Sequence, residues 1–208
     1  MNREPEIGLG GWSRLSTCHW PGHLVTTLFC QGCPWRCGYC HNPELLPLTG
    51  TGTPIRWERV TDHLRRRRGL LDGVVFSGGE PLIQRGLARA MGQVRSLGFA
   101  VGLHTAGAVP ARLAALLDEG LVDWVGFDVK AAPGAYARVT GVATASAPAV
   151  RSLRLLLDSG VEHQVRTTVD PDSLTDADQD ELSRWLESQG VREHVWQRAR
   201  DPDGSERG

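Results

Sequence analysis

The segment CQGCPWRCGYCHN at residues 30–42 holds four of the five cysteines in this chain of 208 residues. The preceding segment, HLVTTLF at 23–29, is β-branched and apolar, which predicts a buried strand. Three of the cysteines have the spacing C-x-x-x-C-x-x-C, namely Cys33, Cys37 and Cys40. So many thiols directly after a strand predict a metal or redox site at the carboxyl end of that strand.

The composition is ordinary for a globular protein, with 40% hydrophobic residues, 23% charged residues and a net charge of −1. This charge balance gives no electrostatic reason to expect a nucleic acid or a membrane as partner. The segment MNREPEIGLG has no apolar signal core, and no apolar run approaches the roughly 20 residues that span a bilayer. We therefore expect a cytoplasmic protein, in which clustered cysteines are ligands or catalysts rather than disulfides.

Strand and helix patterns alternate along the rest of the chain. Six short apolar runs typical of strands are separated by helical segments, several of which end at glycine. Strict alternation predicts right-handed βαβ units and a parallel sheet. Six units are fewer than the eight of a closed barrel, whose chains typically have ~250 residues. We expect an α/β fold, an open partial (β/α)6 barrel of parallel strands. It should form a single domain over 1–208, with a core at about 20–198 and a polar tail at 199–208.

Four polar motifs follow predicted strands and should meet at one edge of the sheet. They are the cysteine loop, SGGEP (77–81), HTAG (104–107) and DVK (128–130). In parallel α/β folds, ligands bind at the carboxyl ends of the strands. Asp128 and Lys130 lie two residues apart, so their side chains should point to the same side and face a ligand there.

Two kinds of metal site fit the cysteine spacing. Zinc ribbons place two C-x-x-C knuckles roughly 15–20 residues apart. Here only three residues separate Cys33 from Cys37, so a closed zinc site that also includes Cys30 is possible but strained. Three thiolates suit a cubane [4Fe–4S] cluster, and one iron then keeps an open coordination position because such clusters normally have four thiolates. An open position on a metal is where chemistry can take place.

The segment CPWRCGYCHN at 33–42 resembles the radical S-adenosylmethionine (radical SAM) signature C-x-x-x-C-x-aromatic-C. The resemblance implies that Cys33, Cys37 and Cys40 hold a [4Fe–4S] cluster. Its open iron would bind the amino and carboxylate groups of S-adenosylmethionine. Tyr39 would pack near the adenine, and SGGEP resembles the GGEP motif that recognises the methionyl amino group.

Further cofactor-binding residues follow from the same resemblance. DVK is similar to the D-x-K motif in activases of glycyl radical enzymes. VRTTV at 165–169 is similar to an R-T-T segment, in which Arg166 could bind a carboxylate with its planar guanidinium. HTAG stands where the family reads T-N-G, so that Ala106 replaces the asparagine. The expected cofactor-binding residues are Tyr39, Asn42, Gly78, Gly79, Glu80, Thr105, Asp128, Lys130 and Arg166.

Together these segments resemble the activating proteins of anaerobic ribonucleoside-triphosphate reductase, over about residues 8–198. The resemblance implies reductive cleavage of S-adenosylmethionine to a 5′-deoxyadenosyl radical, which abstracts hydrogen from a glycine of that reductase. Cys18, expected to be structural, and Cys30 are too few for additional ferredoxin-like clusters, which would need about eight thiolates. An external one-electron donor such as flavodoxin or ferredoxin is therefore expected. The alternatives are a 7-carboxy-7-deazaguanine synthase-like enzyme of the same superfamily and a non-catalytic four-cysteine zinc module.

Overall fold

The structure is a computed structural model that describes residues 4–50 and 54–200. Its strands are β1 Leu9–Ser16, β2 Val25–Cys30, β3 Gly73–Gly78, β4 Ala100–Thr105, β5 Trp124–Asp128, β6 Glu162–Val169 and β7 His194–Arg198. Its helices are α1 Trp57–Arg65, α2 Leu87–Ser96, α3 Pro110–Asp118, α4 Tyr136–Thr140, α5 Ser146–Ser159 and α6 Asp176–Ser188. Two short 3-10 turns cover Pro43–Leu45 and Pro81–Ile83.

All seven strands form one sheet in chain order, from β1 to β7. Strands β2 to β7 pair in parallel, which confirms the predicted α/β sheet of six parallel strands. Among the described strands no pairing joins β7 back to β1, so the sheet is an open partial barrel. None of the described helices has the length and hydropathy needed to cross a bilayer.

The strand β1 is an addition to the predicted set of six. It pairs antiparallel to β2, with register shifts between Leu9 and Gly11 and between Ser13 and Ser16. Its sequence, LGGWSRLS, mixes glycines with polar residues, so that a β-strand pattern is weak. Tertiary pairing with β2 stabilises this strand, and the expected core beginning at about residue 20 therefore started too late.

Each face of the sheet has its own packing. The helices cover one face, where strand residues such as Leu28, Phe76 and Phe127 join the large core. On the opposite face, a smaller cluster at the amino ends of the strands contains Trp20 and Trp124, whose rings stack with centroids 5.5 Å apart. This cluster fills the opposite face near the amino ends of the strands.

Strand register brings the predicted motifs to the same carboxyl edge. Cys30 at the end of β2 pairs with Gly78 at the end of β3, and Asp128 of β5 pairs with Arg166 of β6. Gly78 has a φ of 107°, and a Cβ there would lie 2.4 Å from the backbone nitrogen of Cys30. Only glycine is compatible with this backbone and this close approach.

The end of the chain only partly follows the predicted polar tail. Ala199 is buried, and its N–H donates to the carbonyl of Val169 at 2.8 Å. The sheet pairing therefore continues one residue beyond β7. Residues 201–208 of the predicted tail lie outside the described part of the chain.

Candidate active site

A cavity of about 780 Å³ opens at the carboxyl edge of the sheet. The predicted site residues that line it are Cys33, Cys37, Tyr39, Cys40, Asn42, Gly78, Gly79, Glu80, Thr105, Asp128 and Lys130. Arg166 is the exception, since it lies behind Asp128 rather than at the cavity surface. The fold thus gathers residues that are almost a hundred positions apart in sequence around one space.

The cysteine loop is anchored on the side of α4. Trp35 is buried, and its ring meets the ring of Tyr136 edge-on with centroids 5.8 Å apart. The N–H of Arg36 donates to the carbonyl of Thr140 at 2.8 Å. A hydrogen bond of 3.1 Å from the N–H of Cys40 to the carbonyl of Cys37 closes the loop on itself. These contacts fix the part of the loop that carries the thiols.

The base of the loop is anchored to the segment that follows it. The N–H of Gly32 donates to the carbonyl of Leu45 at 2.7 Å, and the N–H of Cys33 donates to the carbonyl of Leu46 at 3.1 Å. A Cβ on Gly79 would lie 2.2 Å from the carbonyl oxygen of Gly32. Gly79, directly after β3, therefore packs against the base of the cysteine loop at a distance that no side chain permits.

Burial favours the protonated form of two of the cavity thiols, Cys33 and Cys37. Burial raises the pKa of Cys33 to about 12 and also raises the pKa of Cys37, where the charge of Lys130 opposes the effect. A metal ligand must be the thiolate, so metal binding would release protons from these groups.

Cys30 is separated from the other three cysteines of the segment. It is fully buried, packs in the helix-side core and does not line the cavity. Burial, reinforced by the charge of Glu80, raises the pKa of its thiol strongly. A four-cysteine site would require Cys30 to leave the core. No group of three or more His, Cys, Asp or Glu side chains among the described residues is placed to hold a single metal ion.

Glu80 joins the ends of β3 and β4. Its carboxylate accepts hydrogen bonds from the hydroxyl of Thr105 at 2.6 Å, the N–H of Ala106 at 3.0 Å and the N–H of Leu82 at 3.1 Å. Burial raises the pKa of Glu80, and these hydrogen bonds oppose the rise. The side chains of Glu80 and Thr105 are therefore hydrogen-bonded to each other. Through its bonds to the N–H groups of Leu82 and Ala106, Glu80 also fixes the backbone beside the cavity.

Asp128, Lys130 and Arg166 form one charged group at the ends of β5 and β6. Arg166 Nε donates to Asp128 Oδ1 at 2.5 Å, and Lys130 Nζ lies 3.5 Å from Asp128 Oδ2. Burial alone would raise the pKa of Asp128, but the two cations outweigh it and hold that pKa below its ordinary value. Two positive charges and one negative charge leave this wall of the cavity with a net positive charge, which favours an anionic ligand group.

His104 links this charged group to the interior of the sheet. Its Nδ1 lies 3.1 Å from Ser77 Oγ, and its Nε2 lies 2.7 Å from the carbonyl oxygen of His19. Because a carbonyl only accepts, Nε2 carries the proton, and the guanidinium of Arg166 at 3.4 Å is a neighbour rather than a donor to it. Burial, followed by the charge of Arg166, lowers the pKa of His104 to about 3, so the ring is neutral.

Cys18 also lines this cavity. Since β1 is antiparallel to β2, Ser16 stands beside Val25 at the amino end of the sheet, and Cys18 follows two residues later. Its Sγ contacts Ser16 Oγ at 3.4 Å, and the residue is exposed.

Comparison with known sequences decides the family. The profile of the Radical SAM superfamily matches residues 27–186, which is most of the chain. The chain belongs to the radical SAM superfamily. This radical SAM chain is 30% identical over 117 residues to a putative glycyl-radical enzyme activating enzyme, MJ1227, of Methanocaldococcus jannaschii, covering 56% of this chain and 47% of that protein. It is 43% identical over 68 residues to the pyruvate formate-lyase-activating enzyme of Clostridium pasteurianum, covering 31% of this chain and 28% of that enzyme.

The radical SAM chain thus spans less than half the length of these curated relatives. Among solved structures, anSMEcpe with bound AdoMet superposes with a TM-score of 0.63 at 19% identity, over 83% of this chain and 50% of that one. At this identity the match supports the fold, an α/β partial barrel of the radical SAM type.

The radical SAM family implies a [4Fe–4S] cluster and S-adenosylmethionine, and the residues present fit both. The donors at the cavity are thiols, the ligands that iron–sulfur clusters use. Tyr39, on the cavity wall, has a buried hydroxyl without a hydrogen-bond partner among the described residues. Leaving such a group unpaired costs about 1–3 kcal/mol, so it is a group that a bound ligand can satisfy.

The sequence interpretation missed several residues of the site. The contact between Trp35 and Tyr136 anchors the cysteine loop to α4. Nothing in the sequence distinguishes either residue from an ordinary apolar core residue. His104 was not among the expected site residues, although HTAG places it at a strand end beside the other motifs. The end of β7 also lines the cavity, through Trp196 and Gln197. Extension of the strand-end argument to the sixth predicted strand would have found this last pair.

Proposed function

We propose that this protein is a radical SAM activase that cleaves S-adenosylmethionine reductively and generates a glycyl radical on an anaerobic ribonucleoside-triphosphate reductase. The observation that carries the proposal is that the three signature thiols and the Asp128–Lys130 pair line one cavity. The similarity to two activating enzymes supports the activase class. The choice of the reductase as partner rests on the sequence motifs described above.

When bound, the cluster and S-adenosylmethionine would supply the radical chemistry, a one-electron reductive cleavage that gives methionine and a 5′-deoxyadenosyl radical. In this proposal Cys33, Cys37 and Cys40 hold the cluster. The ammonium of Lys130 binds the carboxylate of S-adenosylmethionine. Gly78 and Gly79 line the cavity, and their backbone carbonyls would accept hydrogen bonds from the amino group of S-adenosylmethionine.

The surrounding residues orient these groups and exclude water. Lys130 Nζ lies 5.8 Å from the ring centre of Tyr39, so the cation that binds the carboxylate also contacts the cysteine loop. Arg166 fixes Asp128, and Asp128 in turn fixes Lys130. Trp35 and Tyr39 are buried beside the thiols and shield that side of the cavity.

A protein partner suits the open shape of the sheet. β1 and β7 are the two edges of the sheet, and the folded loop of a large enzyme can approach between them. An external one-electron donor such as flavodoxin or ferredoxin belongs to the same proposal, because Cys18 and Cys30 lie apart from each other and are too few for a second cluster. So does a cytoplasmic location, where thiols stay reduced.

The test is anaerobic incubation of the cluster-loaded, reduced protein with S-adenosylmethionine and the host's anaerobic ribonucleotide reductase. We expect the doublet electron paramagnetic resonance signal of a glycyl radical, and its loss when the radical glycine of the partner is changed to alanine. A radical formed only on a pyruvate formate-lyase would support the activase and reassign the partner. Conversion of 6-carboxy-tetrahydropterin to a deazaguanine without any glycyl radical would establish the alternative enzyme and refute the proposal.

A further inference from the structure

The last strand, β7, has one edge that no described strand covers. Its other edge pairs in parallel with β6 from His194 to Arg198. Val195 is 37% exposed and Trp196 is 40% exposed, so two adjacent large apolar side chains of this strand are open to solvent. An uncovered strand edge presents unpaired N–H and C=O groups and is a template for pairing with another chain.

The direction of the backbone groups in β7 follows from one hydrogen bond. The N–H of Ala199 donates to the carbonyl of Val169, so the backbone groups of Ala199 point towards β6. Backbone groups alternate along a strand, and Gln197 and Val195 therefore also point towards β6. The N–H and C=O of Trp196 point the other way, to the open side of the sheet.

This open edge lies at the height of the cofactor cavity. Val195 is in register with Arg166, which is in register with Asp128 on the cavity wall. Trp196 is one residue further towards the carboxyl edge. Trp196, Gln197 and Arg198 line both the cofactor cavity and a second cavity of about 670 Å³ beside the start of α6. The end of β7 therefore forms a ridge between the two cavities. A polypeptide of a partner that crosses this ridge reaches the cofactor cavity.

We propose that the glycine-containing segment of the partner enzyme binds in extended form along the free edge of β7, pairing with the N–H and C=O of Trp196. This inference rests on the proposed function, which requires a polypeptide substrate. The charge of the ridge adds a preference for acidic residues in that segment, since Arg198 and Arg200 lie at the end of β7 and line the cofactor cavity.

Strand addition explains how an open sheet can shield a reactive centre. The added strand extends the wall of the cavity at the edge where the described sheet stops. Main-chain hydrogen bonds supply affinity with little demand on sequence, while the side chains beside the central glycine enter the two cavities. Water is then excluded from the cavity only when the substrate is in place.

The test compares Trp196→Pro with Trp196→Ala. Both variants remove the indole and its contact with His194, but only proline removes the outward N–H. Proline is tolerated on a sheet edge where its nitrogen faces solvent, so the pairing with β6 should survive. Thermal unfolding, iron content and partner-free cleavage of S-adenosylmethionine serve as controls and should match between the two variants.

The first readout is binding of a synthetic peptide centred on the radical glycine of the host's anaerobic ribonucleotide reductase. The cluster-loaded, S-adenosylmethionine-bound protein should bind it about tenfold more weakly as Trp196→Pro than as Trp196→Ala. The second readout is hydrogen exchange of the wild-type protein, in which the peptide should slow exchange across His194–Arg198. Replacement of acidic residues in the peptide by their amides should weaken binding.

Equal affinity of the two variants, with no change in exchange at β7, would overturn the inference. If a glycyl radical still forms on the intact reductase, the proposed function survives that failure. If the wild-type protein neither binds the peptide nor forms the radical, both the proposed function and this inference are refuted. Two further outcomes would also overturn the inference. If exchange at β7 slows with rising protein concentration and without peptide, the edge binds a second copy of the chain. If slow exchange at β7 is lost on removal of residues 201–208, the edge is covered by the chain's own end.

Discussion

Arg166 donates its Nε hydrogen to Asp128 Oδ1 at 2.5 Å, and of these two residues only Asp128 lines the cofactor cavity. The guanidinium is buried between Asp128 and His104. Arg166 therefore positions the carboxylate that in turn orients Lys130, and its effect on the cofactor is transmitted through Asp128.

Replacement of Arg166 by glutamine should weaken binding of S-adenosylmethionine without changing the iron content. The reason is that Asp128 loses its strongest partner and Lys130 loses a fixed neighbour. The expected loss is ~1–3 kcal/mol in binding free energy, the range for a charge-assisted hydrogen bond. Isothermal titration of the cluster-loaded protein measures it. Arg138→Gln, which removes a half-exposed pair with Asp178, is the matched control. Wild-type affinity in Arg166→Gln would show that the pair has no part in cofactor binding.

His104 should make the stability of the protein depend on pH between 6.5 and about 3. The unfolded chain binds a proton on this histidine near pH 6.5, whereas the folded chain binds it only near pH 3. The free energy of unfolding should therefore fall on acidification across this window, by at most about 1.4 kcal/mol per pH unit from this group. Urea unfolding at several pH values should give a smaller slope for His104→Gln than for the wild type. The exposed residue His41 offers the control, His41→Gln. Identical slopes in all three proteins would refute the assignment.

Thr105→Val should destabilise the protein by about 1–3 kcal/mol, because the buried Oε1 of Glu80 loses its hydroxyl donor and keeps the N–H of Leu82, while the N–H of Gly107 loses its acceptor. The replacement preserves the shape of the side chain, so packing changes little. Thr61→Val is the comparison, since among the described residues the hydroxyl of Thr61 donates only to the carbonyl of Glu58 within α1. Denaturant unfolding of both variants provides the measurement. A loss no greater at Thr105 than at Thr61 would contradict a structural role for the Glu80–Thr105 bond.

Changing any one of Cys33, Cys37 or Cys40 to alanine should sharply reduce the iron and sulfide retained after anaerobic reconstitution. Each thiol is one of only three expected protein ligands, and all three line the cavity. Cys18→Ala is the control, because Cys18 lines the same cavity but lies outside the C-x-x-x-C-x-x-C signature. Iron and sulfide analysis, with the visible absorption of the cluster, reports the result. Loss of iron in Cys18→Ala with full retention in Cys37→Ala would reverse the ligand assignment.

The six parallel strands and most of the residues around the cavity could be predicted from the sequence. The reason is that the carboxyl ends of strands in a parallel sheet share one edge. The sequence interpretation missed β1, whose glycines and polar residues have weak strand propensity and which is held in place by pairing with β2. It also expected Arg166 to bind a ligand directly. Alternation along β6 predicts the face of the sheet on which the side chain of Arg166 lies. Whether that side chain reaches the cavity surface depends on the neighbouring side chains. The carboxylate of Asp128 and the ring of His104 occupy those neighbouring positions, and only the folded structure shows them.

The most direct test of the central claim is to count two products in one anaerobic reaction of the reduced protein, S-adenosylmethionine and the host's anaerobic ribonucleotide reductase. The amounts of 5′-deoxyadenosine, by chromatography, and of glycyl radical, by electron paramagnetic resonance, are compared. The account predicts that they rise together in equal amounts and that Cys37→Ala abolishes both. Formation of 5′-deoxyadenosine at the same rate with and without the reductase, and with no glycyl radical, would contradict it.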